Sequence, residues 1–151
     1  MRSLLDVNVL IALLDAGHVD HAVARDWLQR HLDSGWASSP LTQNACVRIM
    51  SQPVYPAPLP ASEVARRLAR AVEHPTHRFL ADDYSLLDDA AVVWGRVQGH
   101  RQITDLYLLG LAVRHGCRFV TFDARIDRHA VPGATARHLV VLTSAARSGS
   151  A

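Results

Sequence analysis

Residues 3–14 read SLLDVNVLIALL, an apolar run interrupted first by the carboxylate of Asp6. Few folds accommodate such a stretch. Residues 1–5 are too short for a helix and suit the start of a buried strand, whereas Val9, Leu10, Leu13 and Leu14 recur at helical spacing. The stretch therefore reads as a strand, then Asp6 at its carboxyl end, then a helix. A buried charge must be paired, hydrogen-bonded or metal-bound, or it costs several kcal/mol. In open α/β sheets the carboxyl ends of strands are also where sites are built.

The rest of the chain keeps the same alternation. Asp20 is placed to cap a helix running to about residue 32, followed by a short strand at 36–38. Pro40 opens a helix over 41–50, as proline does in a first turn. Pro53, Pro56, Pro58 and Pro60 make 51–60 a stiff extended loop. Next come a helix over 61–73 with Ser62 as cap, a strand at 77–81 and a turn at 82–85 that exposes Asp83 and Tyr84. Asp88 and Asp89 are set to begin a helix ending at Gly99, with Ala90, Val93, Trp94 and Val97 inward. A strongly apolar helix over 104–115 closes at Gly116, and strands follow at 118–121 and 139–142. Strands alternating with helices predict a mostly parallel sheet with helices on both faces. We expect one domain over 1–142 and a flexible tail over 143–151.

Composition narrows the class. The 151 residues are 49% hydrophobic, enough for one core and too many for a disordered chain. No apolar run approaches a membrane span, and Asp6 and Asn8 break the pattern of a signal peptide. The two cysteines, Cys46 and Cys117, form no CxxC pair, which fits a reducing cytoplasm. The net charge of +2 tolerates a polyanionic partner, and the basic residues are arginine, suited to bidentate phosphate contacts. Phosphate-loop and dinucleotide motifs are absent.

Three acids combine an apolar context with an element terminus: Asp6, Asp105 in the first turn of the most apolar helix, and Asp123 after the strand RFVTF. In a parallel sheet all three can converge at the carboxyl edge. Like charges so placed retain protons unless a cation balances them. Oxygen ligands without His or Cys suit Mg²⁺ or Mn²⁺. Each acid also has a plainer reading: Asp105 is favoured by the helix dipole alone, and Asp123 fits a turn.

These residues carry a family resemblance. LLDVNVLIALL, SPLTQNACVRIMSQP and ITDLYLLGLAVRHGCRFVTFDARI, in that order, resemble the successive motifs of PIN domains, and the VapC-type toxins of bacterial toxin–antitoxin pairs in particular. The resemblance implies a PIN-like three-layer α/β/α sandwich and Mg²⁺- or Mn²⁺-dependent cleavage of RNA. It also implies a homodimer neutralised by a small antitoxin protein. On it, Asp6, Asp105 and Asp123 are the catalytic, metal-binding carboxylates, and Asn8 braces the Asp6 loop. Thr104 either orients the site or caps its helix. Where the family commonly carries a glutamate, this chain offers Gln43 or Asn44. An amide ligates through its oxygen but is no general base. Arg48, on the same helix, meets either an RNA phosphate or an acid.

Other readings compete. Without that glutamate, a PIN-fold RNA-binding module of weak catalysis, held by an antitoxin, is the alternative. An aspartyl-phosphate enzyme is disfavoured because the position two after Asp6 is Asn8. His18 and His21 have metal-like spacing but no third partner. Arg66, Arg67 and Arg70 read as a solvated helix face rather than an RNA track. The tryptophans read as core or dimer contacts.

Overall fold

A computed structural model describes residues 1–148. Five short parallel strands form one sheet: β1 (Ser3–Leu5), β2 (Trp36–Ser38), β3 (His77–Phe79), β4 (Arg118–Thr121) and β5 (Leu139–Val141), in the order β3-β2-β1-β4-β5. The chain winds outward from β1 to β3, then crosses back to lay β4 on the other side of β1. This reversal puts the switch point of the sheet between β1 and β4.

Side-chain alternation along the strands separates two cores. Leu4, Ala37 and Phe119 pack against α5 (Ile103–Arg114), with Leu106, Leu109 and Ala112 beneath them. Their neighbours Leu5, Trp36 and Val120 face the opposite layer. That layer holds α1 (Val7–Leu14), α2 (His21–His31), α3 (Pro40–Met50) and α4 (Ala61–Val72). The three layers and the parallel sheet match the sequence expectation. Strand β4 is buried on both faces, as an inner parallel strand should be.

Local chemistry explains the element ends. Ser39 and Thr42 form a reciprocal capping box around Pro40, which fixes the start of α3. Gly116, at φ +62°, ends α5. Tyr55 donates to the Asp15 carboxylate at 2.5 Å, tying the proline-rich loop to the end of α1. That loop is a run of turns rather than an extended segment, because Tyr55 N–H bonds back to Gln52 and Leu59 N–H to Met50.

Several expectations need correction. No α-helix spans 88–99; the segment is turns and a single 3-10 turn at Trp94–Arg96. Asp88 accepts from the Ser85 amide, Ala90 takes φ +61°, and Val93 N–H bonds to the Ala130 carbonyl, so its backbone groups are committed elsewhere. Trp94 is 52% exposed, whereas Trp27 and Trp36 are core. Tyr84 is half-buried, stacked on Tyr107 with ring centroids 4.7 Å apart. Asp20 makes no side-chain cap. It accepts instead from Ser144 Oγ at 2.7 Å and Ala145 N at 2.8 Å, holding the start of a last helical turn, α6 (Ala145–Ser148). Residues 149–151 of the expected tail lie outside the described residues. Helix α4 starts after Pro60 without a Ser62 cap, and strand β3 stops at Phe79. Arg66 and Arg67 pair with Glu63 on the solvated face of α4. Among the described residues, no helix is long and apolar enough to cross a membrane.

Candidate active site

The fold brings Asp6 and Asp123 to the same edge by backbone pairing alone. Leu5 lies opposite Val120 in the β1–β4 ladder, and Asp6 N–H continues it to the Val120 carbonyl at 2.9 Å. Each acid follows the carboxyl end of its strand. Asp105 arrives from a different direction: α5 runs back beneath the sheet, so its first turn lies at this edge.

Asp6 is 3% exposed. It caps α1, accepting from Val7 N–H on one oxygen and from the Thr121 hydroxyl on the other, both at 2.6 Å. Burial pushes its pKa up, and the Asp123 charge adds to that, against hydrogen bonds from Thr121, Val7 and, least, Asn8. Thr121 Oγ1 in turn accepts from Asn8 Nδ2 and from Asp123 N–H, each at 3.0 Å. Asn8 Oδ1 accepts from Phe122 N–H at 3.2 Å. Asn8 thus braces the turn after β4 and reaches Asp6 chiefly through Thr121. That threonine escaped the sequence reading; its only signal is its place two residues before Asp123.

Asp105 makes no side-chain hydrogen bond among the described residues. Burial pushes its pKa up to about 7, Asp6 and then Asp123 add to the shift, and Arg125 opposes it. The favourable helix dipole at this position is outweighed. A carboxyl whose folded pKa lies above its unfolded value of 3.8 binds more protons in the folded state between those limits. Its contribution to stability therefore declines as pH rises from about 4 to about 7. In chelator, Asp105→Asn should gain thermal stability over the unsubstituted protein as pH is raised from 5 to 8, the gap levelling above about 7. Parallel melting curves that keep a constant gap would refute this.

Asp123 is engaged by Arg125, whose Nε and terminal nitrogen donate to its two oxygens at 3.0 and 2.6 Å. Arg125 was not foreseen, although an arginine two residues after an acid in a turn is a usable signal. The three acids feel one another electrostatically, yet among the described residues no three His, Cys, Asp or Glu side chains are gathered into a metal-holding cluster. The donor chemistry nevertheless fits a divalent ion: oxygen only, with burial and, to a lesser degree, the neighbouring acids raising the pKa of Asp6 and Asp105, and Arg125 as a local cation.

A cavity of about 250 Å³ opens beside Asp6 and Asp105, lined also by Thr42, Ala45, Arg48 and Thr104. Thr104 is therefore at the site and is not a helix cap; α5 begins at Ile103 with no side-chain cap. Gln43 and Asn44 are turned away. They line the groove between α3 and α4, and Gln43 Nε2 donates to Ser38 Oγ at 2.9 Å. From α3, the cavity beside Asp6 and Asp105 is lined by Leu41, Thr42, Ala45, Arg48 and Ile49, and by neither amide. Arg48 reaches both spaces. His18 accepts from Asp20 N–H and His21 bonds the Ala12 carbonyl, so both are local structural groups.

A parallel α/β sandwich with acids at its switch point is the architecture that the sequence motifs implied. The profile of the PIN domain family matches residues 3–132, and the chain belongs to that family. It is 50% identical over 142 residues to ribonuclease VapC44 of Mycobacterium tuberculosis, covering 94% of this chain and all of that protein. Ribonuclease VapC38 of the same organism is 43% identical over 125 residues, 82% of this chain and 86% of the relative. Among solved structures the fold resembles VapBC2 from Rickettsia felis bound to a DNA fragment from its promoter. That match has a TM-score of 0.63 at 12% identity over 95% of this chain and 100% of that one. It also resembles the sarcin–ricin loop cleaving toxin VapC20 of M. tuberculosis, with a TM-score of 0.61 at 14% identity over 87% and 98% of the two chains.

Proposed function

We propose that the protein is the ribonuclease toxin of a type II toxin–antitoxin pair, hydrolysing RNA phosphodiester bonds at Asp6, Asp105 and Asp123. This reading is supported by Asp6 and Asp105 lining one cavity and Asp105 and Asp123 lining another, in a chain half identical to a VapC ribonuclease. The three carboxylates would hold Mg²⁺ or Mn²⁺, which when bound polarises a phosphoryl oxygen and lowers the pKa of water. The chain's own part is positioning. The Thr121 hydroxyl and Val7 amide fix both oxygens of Asp6. Thr104 offers a hydroxyl beside Asp6 and Asp105, and Arg48 and Arg125 set positive charge near the acids for a phosphate. A small antitoxin, a homodimeric assembly and a cytoplasmic setting complete the proposal.

A second reading, an RNA-binding module of weak catalysis, draws on the lack of an α3 acid in the cavity beside Asp6 and Asp105, where α3 contributes Thr42, Ala45 and Arg48. One assay separates the two. Purified protein incubated with structured RNA should cleave it with Mg²⁺ or Mn²⁺, stop in EDTA and resume when the ion is restored in excess. RNA binding without cleavage in either ion would favour the module.

A further inference from the structure

A second cavity, of about 370 Å³, lies on the other side of the acids, between the segment 98–102 and the turn after β4. Asp105 and Asp123 form part of its wall, and Gln98, His100, Arg101, Gln102 and Arg125 supply the rest with Gly99. The two segments are fastened by one side chain. Gln102 Nε2 donates to the Arg125 carbonyl at 3.0 Å, while its oxygen accepts from Gln98 N–H at 3.1 Å. The cavity is therefore pre-formed rather than a chance gap between loops, and its lining is mixed: two carboxylates, two guanidiniums and an imidazole, with Arg125 held on Asp123.

We propose that this cavity is a nucleotide-binding subsite for the RNA strand, holding the nucleotide next to the bond broken at the acids. The proposal rests on the nuclease reading above. Arg101 and Arg125 take the adjoining phosphate, and His100 stacks on or bonds to the base. Guanidiniums bind phosphate oxygens in pairs, and exposed bases of single-stranded RNA are read by stacking on planar side chains. Arg125 is 70% exposed on its side chain and parked on Asp123, so an entering phosphate can draw it away without unpacking the core. An RNA strand suits this lining better than an acidic peptide, because the imidazole and the Gln98 amide give a base flat and polar partners that a carboxylate chain does not use.

The test uses the full chain carrying Asp6→Asn, in EDTA, with a fluorescently labelled single-stranded RNA followed by anisotropy. Arg101→Ala and Arg125→Ala should each weaken binding on the order of tenfold. The dependence of log affinity on log salt should flatten by about 0.7 for each phosphate that is no longer neutralised. Lysine at either position should recover part of the affinity, since it keeps charge but not the fork. Arg66→Ala with Arg70→Ala on α4 should leave binding unchanged. Equal losses from both pairs would reduce the cavity to diffuse positive charge and overturn the proposal. A labelled oligoglutamate peptide that bound more tightly than RNA, with the same arginine dependence, would reassign it to a peptide. If the unsubstituted protein neither cleaves nor binds RNA, the nuclease reading itself fails. If it cleaves but the Arg101 and Arg125 variants bind RNA as well as their parent, only the subsite fails.

Discussion

Asp6→Asn should lower RNA cleavage on the order of 10²–10⁴-fold on the nuclease reading proposed above, in which Asp6 would hold the ion and account for several kcal/mol of barrier at about 1.4 kcal/mol per tenfold. The fold should survive. Both carboxylate oxygens accept a hydrogen bond, from Val7 N–H and from the Thr121 hydroxyl. Asparagine keeps one acceptor and turns an N–H₂ toward a donor, which costs about 1–2 kcal/mol. Against this, removing a charge that is 3% exposed relieves desolvation. The two effects oppose, so the unfolding free energy should stay within about 2 kcal/mol of the parent. Cleavage rates and a denaturant titration on the same preparation check both halves. Undiminished cleavage would remove Asp6 from the site, and a collapsed fold would leave the loss of activity uninformative.

Gly35→Ala is expected to have the largest effect on stability. Gly35 has φ +78° and ψ 162°, a region that side-chain-bearing residues rarely enter. A Cβ there would meet the Thr76 carbonyl oxygen at 2.8 Å and the Arg2 guanidinium. Neither yields cheaply. Arg2 donates to the carbonyls of Trp36 and Thr76, and Ser3 N–H bonds to the Gly35 carbonyl, so this point joins the amino ends of three strands. Strain of about 1–3 kcal/mol and a backbone clash of similar size should together lower the melting midpoint by roughly 10 °C. Gly95→Ala, where a Cβ meets nothing within 4 Å, is the control and should be near neutral. Equal midpoints for the two variants would refute the argument.

The sequence was readable wherever one element's own pattern decided the outcome. Leu4 and Leu5 before an acid, in a segment too short for a helix, read as a strand, and the leucine-rich helix after residue 102 reads as central. It misled where a partner far along the chain decided. Asp20 stands where a capping acid would, but its carboxylate serves Ser144 and Ala145 more than 120 residues later. Asp88 and Asp89 stand where acids begin a helix, but Asp88 closes a turn with Ser85, and Val93 is claimed by Ala130. At the candidate site, the acids stand out in the sequence because a carboxylate in an apolar run needs a reason. The phase of α3 does not. Motif matching pointed to Gln43 and Asn44, and only the packing of α3 against α1 and α4 shows that Ala45 lines the cavity beside Asp6 and Asp105. Thr121 and Arg125 were missed because a hydroxyl inside a strand and an arginine in a turn are ordinary until their partners are known.

The Thr121 hydroxyl has a wider consequence. By donating to Asp6 while accepting from Asn8 and from the amide of Asp123, it makes two of the acids part of the sheet's own fastening. The backbone positions of these two acids are inherited from strand pairing. Asp105 has no such tether and rides on a helix. Tuning of this site, whether to draw an ion into place within one reaction or to change its preference over generations, therefore has most freedom in α5 and the segment before it, while the backbone of Asp6 and Asp123 stays tied to the sheet.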